Sequence, residues 1–84
     1  MKNILTVFEY FEKNSHTYHF PQQMPNGEYC DTYCFCFDLK QRDKINDIIE
    51  IFPFIEIEEN VFSDGSFSLE FNEKYESTLK QIKI

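Results

Sequence analysis

Residues 29 to 38 read YCDTYCFCFD, a run without glycine or proline in which aromatic residues alternate with three cysteines and a threonine. Aromatic and β-branched residues favour the pleated sheet surface, so the run reads as a long strand from about Glu28 to Phe37. Alternate side chains of a strand point the same way. Tyr29, Asp31, Tyr33, Phe35 and Phe37 therefore share one face, and Cys30, Thr32, Cys34 and Cys36 share the other. Both faces are largely apolar toward the C-terminal half, which predicts a central strand covered on both sides. Any fold for this chain has to be built around it.

The flanking sequence supplies the remaining elements. Asn3 is a candidate cap for a first helix, with Ile4, Val7, Phe8 and Phe11 at helical spacing and Glu9, Glu12 and Lys13 turned outward. HTYHF (16–20) reads as a short strand and PQQMPNG (21–27) as a loop. Asp38 and Gln41 have capping-box spacing before a second helix whose apolar face carries Ile45, Ile48, Ile49 and Phe52, with Pro53 as its stop. FIEIEENVF and SFSLEF read as strands. Asn72 is placed to cap a last helix bearing Tyr75, Leu79 and Ile82.

The connection between the last two strands sets which residues share a face. A two-residue Asp64-Gly65 loop would put Phe62 opposite Phe67 and turn Ile55, Ile57 and Val61 away from the apolar face. A three-residue Ser63-Asp64-Gly65 loop, with Gly65 in the left-handed region, shifts the register by one residue. Val61 then opposes Phe67 and Ile57 opposes Phe71, so the apolar faces agree. The same register puts Glu58 opposite Glu70 with Glu56 beside them, and like charges directly opposed destabilise a strand pair. The cluster is either an ordinary solvated sheet face or an acidic recognition surface.

The predicted fold is α+β, in the order α-β-β-α-β-β-α. It has a three- to four-stranded, mostly antiparallel sheet with helices packed mainly on one face. The central portion follows a partial ferredoxin-like path, its last strand missing or replaced by QIKI (81–84). Eighty-four residues predict a single domain, 1–84, and ten Phe with five Tyr predict a folded one. No apolar run is long enough to span a bilayer, and no cleavage site follows the N-terminal apolar stretch, which predicts a soluble, cytoplasmic protein.

Charge narrows the partners. The formal net charge is −7, and residues 56–76 hold seven acidic side chains against Lys74 alone. Such a chain repels phosphate backbones, so direct nucleic-acid binding is not expected. It is suited to a basic protein surface, including one that normally holds nucleic acid. Glu56, Glu58 and Glu70 are the expected partner-binding residues, with Glu73 and Glu76 extending the surface onto the last helix.

The cysteines are the alternative source of chemistry. Cys30 and Cys34 have zinc-type spacing, and His16 and His19 would complete a mixed site with them and Cys36. No turn lies within the cluster to converge the sulfurs, so the expectation is no metal, no cofactor and structural thiols. The odd count and a reducing compartment argue against a disulfide. A catalytic cysteine would need a base and an electropositive setting, and the chain offers no orienting triad, so no catalytic residue is expected.

In length, acidity, single-domain organisation and lack of a catalytic motif, the chain resembles the small acidic inhibitors of phages and mobile elements, notably the anti-CRISPR proteins. That resemblance implies stoichiometric blocking of a host defence complex, an RNA-guided nuclease, often at a basic nucleic-acid channel or guide-binding surface. It assigns no role to any individual residue. The competing expectations are an immunity protein or antitoxin that neutralises a basic toxin, and a small Cys/His zinc-binding protein.

Overall fold

The computed structural model describes residues 4–52 and 55–84. The elements are α1 (Val7–Asn14), β1 (His16–Gln23), β2 (Tyr29–Phe37), α2 (Arg42–Ile49), β3 (Glu58–Val61), β4 (Phe67–Asn72) and α3 (Glu76–Leu79). Short 3₁₀ turns at Leu39–Gln41 and Glu73–Tyr75 lead into α2 and α3. The four strands form one sheet in the order β1-β2-β4-β3, with every neighbouring pair antiparallel. The fold is α+β with the expected element order.

The path β2-α2-β3-β4-α3 is ferredoxin-like: β2 and β3 run parallel with β4 between them, a split β-α-β unit. The place beside β2 that the last strand of that fold would take is filled by β1, from the N-terminal side. The QIKI segment does not enter the sheet. Its Lys83 bridges to Thr6, and the Ile84 N–H donates to the Leu5 carbonyl at 3.0 Å, tying the C-terminal segment to the start of α1.

The aromatic face of β2 holds the core. Phe35 is fully buried, with ring centroids 5.7 Å from Phe8, 5.4 Å from Phe11 and 5.3 Å from Phe71. Phe37 stacks on its cross-strand partner Phe67 at 5.4 Å. Ile45 and Ile48 of α2 and Leu79 of α3 join the same cluster. The residues that pack against β2 and β4 from the helices all meet this one face. The other face, carrying Cys30, Thr32, Cys34 and Cys36, has no helix on it among the described residues, and its three cysteines are only half-buried. This corrects the expectation of a strand covered on both sides. β2 is central in hydrogen bonding and one-sided in packing.

Several local expectations are also corrected. The Asn3 cap lies outside the described residues. The observed cap is Thr6, whose Oγ1 accepts from the Glu9 N–H at 3.1 Å while the Glu9 carboxylate accepts from the Thr6 N–H at 3.2 Å. Ile4 precedes this cap and is exposed. The Asp38 side chain forms no cap, because the 3₁₀ turn takes the Gln41 N–H to the Asp38 backbone carbonyl instead. Helix α2 closes at Glu50, and Pro53, the expected stop, lies outside the described residues. Strand β1 continues through Pro21 to Gln23 because it is a sheet edge, where a missing N–H breaks no ladder. Strand β3 is shorter than expected: a turn bond from the Ile55 N–H to the Phe52 carbonyl folds Ile55 into the core.

The hairpin register is the expected one. Val61 pairs with Phe67 and Glu58 with Glu70 across Ser63-Asp64-Gly65, and Gly65 has φ +87°. Val61 is nevertheless 63% exposed, at the end of the edge strand β3. A Cβ at Gly65 would lie 3.0 Å from Cδ2 of the exposed Leu39, which is free to shift, so it is chiefly the left-handed backbone that opposes a side chain there. Gly65→Val should lower stability by about 1–3 kcal/mol, read by urea unfolding. Gly27, at φ +89° with nothing near its Cβ position, is the control that shares the strain without the contact. An unchanged midpoint for Gly65→Val would contradict this turn.

Candidate functional site

The uncovered sheet face forms a groove. Gln22 of β1, Cys30 and Thr32 of β2, Glu70 and Asn72 of β4 and Glu58 of β3 all line it, with Glu56, Ile57, Phe71 and Tyr75 along its sides. Its volume is about 430 Å³, and it continues past Gln22, Met24 and Glu58 toward Pro25 and Gly27. Residues from both edge strands line the same hollow.

The floor of the groove is a polar ladder. Thr32 is buried and donates from Oγ1 to Gln22 Oε1 at 3.0 Å. Asn72, opposite Thr32, donates from Nδ2 to Cys30 Sγ at 3.1 Å and caps the following turn through Oδ1 to the Lys74 N–H at 2.9 Å. Carboxylates stand at the wall. Glu56 and Glu58 are exposed and Glu70 is half-buried, the last receiving only a long contact from Asn60 Nδ2 at 3.4 Å. Lys74 is the one cation on the lining among the described residues, where the carboxylates outnumber it.

Three of the five expected partner-binding residues, Glu56, Glu58 and Glu70, thus come together on one open surface. The other two do not join them. Glu73 lies 3.8 Å from His19 Nε2, and Glu76 accepts from the Tyr33 hydroxyl at 2.7 Å and pairs with Lys80 at 3.0 Å. Tyr33 belongs to the aromatic side of β2, so these two carboxylates serve the helix-covered side. The Tyr33 and Lys80 bonds hold the Glu76 carboxyl below its ordinary range, while burial and the Glu76 bond push the Tyr33 hydroxyl up to about 12.

The five residues of the conceivable Cys/His metal site do not converge. Cys30 sits 3.1 Å from Met24 Sδ, away from the other two thiols. Cys34 and Cys36 are 4.0 Å apart at sulfur, and His16 is exposed on β1 opposite Cys36. His19 lies on the other side of the sheet, stacked on Tyr33 at 4.2 Å with the rings within 4° of parallel. The diagonal contact with Asp31 follows from the reach of β1 past Phe20. Carried through Pro21, its pairing with β2 puts His19 opposite Tyr33 and diagonal to Asp31.

No known protein family, curated protein or solved structure matches the chain. Among the described residues, no helix is long and apolar enough to cross a membrane.

Burial, followed by the neighbouring Cys36, pushes the Cys34 thiol up to about 11. Alkylation proceeds through the thiolate. At pH 8, Cys34 should react with iodoacetamide roughly 100-fold more slowly than a free cysteine. Peptide mapping of a time course checks this, and a rate equal to that of free cysteine would contradict the placement of Cys34.

Proposed function

We propose that the protein is a non-enzymatic, protein-binding inhibitor that applies its open, acidic sheet face to a basic surface of a nucleic-acid-handling nuclease, with RNA-guided effectors as the leading class. It acts in the cytoplasm, where its three free thiols stay reduced. The observation that carries this reading is the direct opposition of Glu58 and Glu70 on a face that no helix covers among the described residues. Opposed like charges cost stability in the isolated protein. A basic partner offsets that repulsion and is steered toward it over distances of about a Debye length, ~10 Å at 0.1 M salt.

The groove also suits the side chains such a partner presents. Lysine and arginine carry apolar stems beneath charged heads. Ile57 and Tyr75 offer apolar wall to the stem, and Glu56, Glu58 and Glu70 offer carboxylates to the head. Arginine, with a planar fork of donors, makes paired bonds to a carboxylate that lysine does not. A nuclease surface that grips a phosphate backbone is rich in both residues. The same charge logic would serve neutralisation of a basic toxin, and the identity of the captured partner separates the two.

The Glu56→Gln/Glu58→Gln/Glu70→Gln variant tests the surface. It should fold as wild type does and be slightly more stable, since it removes the opposed charges. Its association with an RNA-guided nuclease that the wild-type protein inhibits should be slower by about tenfold or more at low ionic strength, with a weaker dependence on salt. Stopped-flow or biolayer measurements between 25 and about 300 mM salt read both effects, since added salt shortens the screening length. An association rate equal to wild type at low salt would remove this face from the interface.

A further inference from the structure

We infer that His19, Asp31 and Glu73 form a binding site for one divalent transition-metal ion of the zinc class. The site lies on the opposite side of the sheet from the acidic groove and does not depend on the docking proposal. His19 Nε2 is 3.5 Å from Asp31 Oδ2 and 3.8 Å from Glu73 Oε2, and one ligand atom from each of the three residues lies within 4.8 Å of the others. Both gaps are longer than an ordinary N–H···O hydrogen bond, so the three groups are gathered without bonding one another. They are close to what an ion requires. Tetrahedral zinc holds nitrogen at about 2.0–2.1 Å and carboxylate oxygen at about 2.0–2.2 Å, which sets neighbouring ligand atoms roughly 3.3–3.6 Å apart. The two His19 gaps need to close by at most a few tenths of an ångström, and the two carboxylates, within 4.8 Å of each other, by about an ångström at most.

The imidazole is held ready for this. Its ring lies flat on Tyr33, and the Tyr33 hydroxyl is fixed by its bond to Glu76, so Nε2 is directed at the two carboxylates. Metal-binding histidines commonly depend on neighbours that set the ring plane. The three ligands come from three parts of the fold: His19 from β1, Asp31 from β2, and Glu73 from the turn after β4. An ion would therefore staple both strands of the first hairpin to the start of the C-terminal helical segment.

The donor set selects the metal class. One imidazole nitrogen with two carboxylates suits zinc, cobalt or iron(II), whereas calcium and magnesium take oxygen ligands almost exclusively. All three side chains are between 42% and 46% exposed, which leaves room for water to complete the coordination shell. No cysteine takes part, because Cys30, Cys34 and Cys36 lie on the other face of β2 and none belongs to this group.

The test uses the full chain, stripped with chelator and titrated with zinc and with cobalt(II). One equivalent of zinc should bind, and a hundredfold excess over Kd should raise the melting temperature by about 10–20 °C. Cobalt(II) should give visible absorption without a thiolate charge-transfer band. Asp31→Asn and Glu73→Gln, both at half-exposed positions, should fold normally and lose at least tenfold in zinc affinity. His19→Gln should abolish binding, and Cys30→Ser, Cys34→Ser and Cys36→Ser should leave it unchanged. No binding at millimolar zinc, or a thiolate band that disappears in the cysteine variants, would overturn the assignment.

Discussion

Phe35 is the residue on which the rest of this structure depends. It sits in the middle of β2, fully buried, and touches aromatic rings from α1 and β4 at once. Edge-to-face and offset ring pairs each contribute about 0.5–1.5 kcal/mol beyond the area they bury. Because strand side chains alternate, fixing Phe35 inward fixes Cys34 and Cys36 outward. One rotational choice in one strand decides which side the helices cover and which side stays open.

The two sides then acquire different chemistry. On the helix side, the aromatic row ends in Tyr33, whose hydroxyl, His19 stack and Glu76 bond join the core to a polar rim. On the open side, threonine, asparagine and cysteine form a low floor, and the hairpin register raises Glu58 and Glu70 as walls. An acidic wall over a polar floor does not bury itself. Arg42 shows how the charges are sorted: it pairs with Glu59 at 2.6 Å and lies over the Phe67 ring, so the glutamate on the helix side of β3 is neutralised. Glu58, one residue earlier, points the other way and has no such partner among the described residues.

The elements legible in the sequence were those fixed by strong local rules. The alternation of β2 gave its two faces, and matching apolar faces across Ser63-Asp64-Gly65 gave the hairpin register residue for residue. Termini read less well where two local signals competed. Thr6 and Glu9 carry capping-box spacing, but Asn3 offered a cap one turn earlier. Asp38 and Gln41 carry the same spacing and form no box, because the chain enters α2 through a 3₁₀ turn. Proline ends most strands, and Pro21 does not because β1 is a sheet edge. That edge position follows only from the topology, in which the N-terminal strand takes the place of a C-terminal one. The groove was half legible: Glu56, Glu58 and Glu70 followed from the register, whereas the dispersal of Glu73 and Glu76 to the other side depended on the turn after β4.

The one-sided packing of β2 is the claim from which the groove and the docking surface both follow. Chemical denaturation of two single variants on adjacent residues measures it directly. Phe35→Ala should cost about 3–5 kcal/mol, the range for removing a buried ring. Cys34→Ala, one residue away on the open face, should cost about 1 kcal/mol or less. Comparable losses for the two would mean that both faces of the strand are packed, contradicting an open sheet face.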